Sequence, residues 1–170
     1  MSALGPTARF RPSLVPGPLY ARAGTSFIVA GAGVAAWNSV EPFAHGWWVA
    51  SFLALVGGVA QALLGAGRLA VGRPPSVRQA RRGAVRQAAL WNAGTFLVPL
   101  GVLTDVRLPV VLGSGALMTV LARLAVDVHR ADPRPERRVG QLRAWFLSLL
   151  GFLAISVLVG TALAWDLPWT

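Results

Sequence analysis

From Ala88 to Ala122 the chain carries only two charges, Asp105 and Arg107, both inside the run "GVLTDVRLPVV". A single helix from 88 to 128 would be about 60 Å long, twice the roughly 30 Å thickness of a bilayer's hydrocarbon core. The run must therefore double back. Thr104, Asp105, Val106 and Arg107, with Pro109 just beyond, are the only turn chemistry it contains. An aspartate there can accept backbone N–H groups, and a proline suits the first turn of the next helix. The sequence thus predicts a tight helical hairpin with Asp105 and Arg107 at its tip, in preference to an ion pair buried at membrane depth.

Composition agrees with that reading. Of 170 residues, 55% are hydrophobic and 13% charged, where a soluble domain carries about a quarter charged. The mean hydropathy is +0.58, and an apolar surplus of this kind faces lipid. The net charge is +10 and all sixteen basic residues are arginine. In a soluble protein this would suggest nucleic acid; here the charges flank apolar runs, so anionic lipid headgroups are the expected partner and nucleic acid is not. Cysteine is absent, which excludes disulfides, thiolate metal sites, thioether-linked haem and cysteine nucleophiles.

The expected fold is all-α: an integral membrane bundle of five transmembrane helices, N-in/C-out, with basic inner loops. Residues 1–23 read as a flexible basic tail, and 24–170 as the transmembrane domain, with spans at about 24–40, 47–70, 88–104, 108–128 and 144–165. "VAA" before Trp37 would suit signal-peptide cleavage, but the long proline-rich segment ahead of it argues against that reading. Orientation follows from charge. With the N-terminus inside, the tail, 68–86 and 123–143 hold fifteen of the sixteen arginines, and the outer segments hold Arg107 alone. A multi-pass position in the plasma membrane is expected. The tryptophans read as interfacial belts, with Trp37, Trp47, Trp48 and Trp169 at the outer face and Trp91 at the inner. Trp145 and Trp165, about 30 Å apart on a helix, mark one interface each.

Candidate chemistry inside the spans is sparse. Gln61, Ser51, Asn92, Thr95 and Thr119 are the polar residues that could line a pocket; their alternative role is interhelical hydrogen bonding. The spans carry no carboxylate, lysine or histidine at mid-membrane depth, which speaks against a proton relay. Arg123 and Asp127, one turn apart, suit an i, i+4 ion pair. Arg78, Arg81, Arg82, Arg86, Arg134, Arg137 and Arg138 are the expected inner-face contacts to lipid or a partner. Val77, Ala80, Ala84 and Val85 fall at helical spacing, so part of the 72–87 loop could form a short amphipathic helix. His45 and His129 are the only histidines and fall on opposite faces of the expected topology. A haem within one protomer is excluded on those grounds, and no metal or other cofactor is expected.

No HExxH, GxSxG, P-loop or paired-aspartate motif occurs, so an intramembrane enzyme is disfavoured. Small residues recur at intervals of four, as in Gly58, Ala62 and Ala66, or Ser156 and Gly160, and such spacing lets helix backbones approach closely. The expectation is a non-catalytic accessory or scaffolding subunit of a membrane complex, joined to like or unlike chains through small-residue faces. The alternative is a small oligomeric permease or channel.

Overall fold

The computed structural model describes residues 17–71, 77–130 and 137–166, with side chains described over 19–67, 82–130 and 140–161. Helices form all of its regular structure among the described residues. Helix α1 spans Gly17–Val40. Helix α2 runs through 46–71 in three joined pieces: α-helical Gly46–Phe52, π-helical Leu53–Ala60 and α-helical Gln61–Val71. Helix α3 spans Val77–Thr104, α4 Arg107–Arg130 and α5 Arg137–Asp166.

Four helices are long and apolar enough to cross a membrane, over Leu19–Val40, Gly46–Gly67, Arg107–Arg130 and Gly140–Thr161. The fifth rod, α3, is not among them. Its first turns carry Arg78, Arg81, Arg82 and Arg86, and Gln87, Asn92, Thr95 and Pro99 dilute the apolar run behind them. The reason it can carry this load is its position. Trp91 and Thr95 are at most 1% exposed, so the polar stretch of α3 is sheltered by its neighbours.

Two helical hairpins make up most of the bundle. In the first, the backbones of α1 and α2 touch. A Cβ on Gly31 would lie 2.7 Å from the Ala50 carbonyl oxygen, and one on Gly24 would lie 2.8 Å from that of Gly58. Close approach of this kind is what small residues at helix interfaces provide. The connecting turn is held by Asn38, whose Oδ1 accepts the Phe43 N–H at 3.1 Å. His45 adopts φ 63° to start α2, and Gly46 lies directly against the Asn38 amide, where a side chain would collide.

In the second hairpin, Gly94 of α3 faces Gly113 of α4, and only Asp105 and Val106 separate the two helices. Asp105 takes the left-handed conformation, φ 54°, and the Val106 N–H reaches back to the Gly101 carbonyl at 2.9 Å. This is a Schellman ending with aspartate in the place glycine usually fills. The charged pair 105/107 is exposed at the tip, as the hairpin reading of the sequence requires.

Helix α5 packs on α4 and on the last piece of α2. Phe146 covers Gly67, and Phe146 and Leu150 enter the core formed by Leu64, Trp91, Val98, Leu117, Val120 and Leu124. Its other face, with Trp145, Phe152, Ile155, Leu158 and Val159, is exposed.

Several boundaries differ from expectation. Helix α1 begins at Gly17, inside the segment read as a flexible tail, and residues 1–16 lie outside the described residues. Helix α3 begins at Val77 rather than near Ala88. The spacing of Val77, Ala80, Ala84 and Val85 does produce a helix, but it is continuous with the rest of α3. Ala84 and Ala88 bury against Tyr20 of α1, and the Tyr20 hydroxyl donates to the Ala84 carbonyl at 3.2 Å.

Candidate functional site

A hydroxyl on a helix can satisfy itself by donating to the carbonyl four residues back; a primary amide, with two donors and an acceptor, needs partners from elsewhere. The described hydroxyls largely take the first route. Thr25, Ser26, Ser39, Thr104, Thr119 and Ser156 each bond the i−4 carbonyl of their own helix at 2.7–3.1 Å while facing outward. Thr161 does so too, and its Oγ1 lies 2.9 Å from Ser114 Oγ, which ties α5 to α4.

The five polar residues singled out in the sequence separate accordingly. Ser51 and Thr119 are exposed and lie on the outside of the bundle. Gln61 and Thr95 are completely buried, and Asn92 is half-buried. Thr95 donates to the Trp91 carbonyl at 2.9 Å. Gln61 Nε2 and Oε1, and Asn92 Oδ1, are buried with no hydrogen-bond partner among the described residues.

The neighbouring helix contacts locate these amides. On α2, Gly57, Gln61 and Gly65 are four apart and form one stripe. Gly57 faces Phe27 of α1 and Thr95 of α3, with a Cβ there 2.6 Å from Phe27 Cγ and 2.9 Å from Thr95 Cγ2. Gly65 faces Tyr20 of α1 at 2.5 Å, and Tyr20 in turn bonds Ala84 of α3. Gln61 therefore lies on the α1–α2–α3 seam, between an upper brace of Phe27 and Thr95 and a lower brace of Tyr20 and Ala84. On α3, Trp91 and Asn92 occupy the same interval. Phe96, one turn beyond Asn92, stacks at a tilt on Phe27, centroids 5.1 Å apart, so that side of α3 is turned toward α1.

Trp91 was expected in the inner-face belt; instead it is 1% exposed and donates from Nε1 to the Val56 carbonyl at 3.2 Å. That carbonyl belongs to the π-helical piece of α2, whose end is marked by the Gln61 N–H bonding Gly58, three residues back. A change of helical register leaves acceptors that outside donors can meet, and π segments in α-helices often mark functional positions. The indole is spent here on the bundle's interior. Trp37, Trp47, Trp48 and Trp145 are exposed, while the Trp165 and Trp169 side chains lie outside the described residues.

Neither the π segment nor the Trp91 bond was foreseen. Adjacent Gly57 and Gly58 are the one local signal, since paired glycines inside a helix ease a local rewinding.

Among the arginines, Arg82 and Arg86 are exposed at the start of α3. The backbone of Arg78, Arg81, Arg137 and Arg138 is helical but their side chains lie outside the described residues, and Arg134 lies outside them altogether. Arg123 and Asp127 are both exposed, and no ion pair between them is present among the described residues. No group of three or more potential metal-ligating side chains occurs among those residues. His45 and His129 belong to opposite ends of the bundle, at the α1–α2 turn and in the last turn of α4.

No protein-family model matches the chain, and no curated protein or solved structure matches it either.

Proposed function

We propose that the chain is a multi-pass integral membrane protein that acts as a non-catalytic subunit of a larger membrane assembly. The bundle crosses the bilayer five times, α3 being carried through within the shelter of its neighbours, with the N-terminus and the arginine-rich segments on the inner side of the plasma membrane. The exposed apolar faces of α1 and α5 then meet lipid, and the arginines near the inner ends, Arg82, Arg86, Arg123 and Arg130 among them, meet anionic headgroups.

The observation that carries the subunit reading is the division among the glycines. Gly24, Gly31, Gly58, Gly94 and Gly113 are used inside the bundle, each against a neighbouring backbone or side chain within 3.1 Å of where its Cβ would be. Gly33, Gly115, Gly151 and Gly160 are exposed, with nothing among the described residues within 4 Å of where a Cβ would be. Glycine weakens a helix interior by about 1 kcal/mol relative to alanine, and outward-facing glycines offset that cost when another helix packs on them.

The test is extraction of the tagged full chain from its own membrane in mild detergent or polymer discs. Stoichiometric co-purification of another membrane protein, or a particle well above the 17.9 kDa protomer, is the expected result. A solitary protomer would overturn the reading. The buried amides of Gln61 and Asn92 favour one alternative, a small permease, which solute flux in liposomes abolished by Gln61→Leu would establish.

A further inference from the structure

We infer that the seam between α1, α2 and α3 is an internal binding site for water, with the Gln61 amide as its principal ligand. Three observations converge. Gln61 is completely buried, yet neither polar atom of its amide meets a hydrogen-bonding group among the described residues. Asn92 Oδ1, in the same interval of the seam, is a second buried acceptor without a partner among the described residues. The π-helical piece of α2 runs up to Gln61, and one of its carbonyls, that of Val56, draws a bond from the Trp91 indole.

Leaving such groups dry is unfavourable, because a buried donor or acceptor without a partner loses its hydration without compensation, and a threonine-like retreat to the i−4 carbonyl is not what Gln61 does. The remaining requirement is one or more small neutral molecules that both donate and accept. Water is the smallest and always at hand, and buried waters make about three hydrogen bonds to polar groups of this kind. Gln61 offers two N–H donors and an acceptor, and Asn92 Oδ1 a further acceptor. Along the seam, Phe27 lies to one side of Gln61, against Gly57, and Tyr20 to the other, against Gly65. The inference rests on helix packing alone and stands whether or not the chain is a subunit of an assembly.

X-ray radiolytic footprinting of the full chain in lipid nanodiscs tests it, because hydroxyl radicals formed from bound water oxidise side chains beside it even when these are shielded from bulk solvent. Trp91 is 1% exposed and Trp37 61%. With water held at Gln61, Trp91 is expected to oxidise within about threefold of Trp37, and about fivefold more slowly in Gln61→Leu or Asn92→Leu variants that remain helical and monodisperse. A slow Trp91 in the wild-type chain overturns the inference, as does a fast Trp91 unchanged in both folded variants. Should neither variant fold, glutamine-selective ¹⁵N labelling decides it in the wild type. Magnetisation transfer from long-lived water to the Gln61 side-chain amide is expected, and its absence sinks the proposal.

Discussion

At the scale of single residues, the most informative positions are those where a backbone or a ring does something its neighbours do not. Asp105 holds a positive φ that glycine adopts freely and a β-branched residue resists. Replacing it with glycine is expected to leave thermal stability in detergent unchanged or raised by up to about 1 kcal/mol, whereas Asp105→Val should cost about 1–2 kcal/mol. A second test concerns Trp91. Trp91→Phe keeps the ring and removes the donor to Val56, so an apparent loss of about 1 kcal/mol is expected, seen as a lower midpoint of unfolding. Trp37→Phe, on an exposed ring, serves as the control and should change little. Asp105 was legible because a charge beside a turn-forming neighbourhood in an apolar run has few other meanings. Trp91 was not. Tryptophan's preference for membrane interfaces is a statistical tendency, and nothing in "ALWNAG" reveals that a carbonyl on another helix is waiting for the indole.

Among the elements, close approach of α1 and α2 depends on the side of α1 that carries Gly24 and Gly31. The Gly31 backbone abuts Ala50 and Ala54, while Gly33, two residues on, faces open space. Gly31→Leu should therefore push α1 off α2 and destabilise the isolated protein by at least about 2 kcal/mol. Gly33→Leu should leave the isolated protein folded and, if that face packs on a partner, release the partner from the extracted complex. Melting curves and co-purification from the same preparations separate the two effects. The five rods were legible in the sequence because their ends are punctuated: Pro42 and Gly46, then Asp105 and Pro109, then "ADPRPE". The π-helical piece was hidden, since a run such as "LALVGGVA" is equally apolar in either helical winding, and the choice is made by packing against α1 and Trp91. The early start of α3 was weakly visible in alanine spacing but had no partner until Tyr20 supplied one.

For the whole molecule, the antiparallel order of the hairpins fixes which loops share an end. The 41–45 turn and the Asp105 turn lie together, and the arginines at the start of α3 and the end of α4 lie at the other end. The absence of native cysteine makes this directly measurable. Single substitutions Glu41→Cys and Asp105→Cys should react with an impermeant maleimide added to intact cells, whereas Arg82→Cys and Arg130→Cys should react only after the membrane is opened. Reaction of Asp105→Cys and Arg82→Cys from the same side would show that α3 does not cross the membrane. The general architecture was readable because hydrocarbon thickness limits so few arrangements of so much apolar sequence. What the polar seam holds was not, because three separate helices build it and its components lie up to about 75 positions apart in the chain, Tyr20 and Thr95 at either extreme.

The two-residue link between α3 and α4 also bears on biogenesis. A helix burdened with Asn92, Thr95, Pro99 and a run of arginines gains too little from hydrocarbon to leave the translocon by itself, yet α4 follows it almost without pause. The pair should integrate as one body, with α4 drawing its companion in. Chains ended after Thr104 and after Arg130, each bearing a glycosylation tag, would therefore differ in kind: the shorter would strand α3 outside the bilayer, and the longer would seat it.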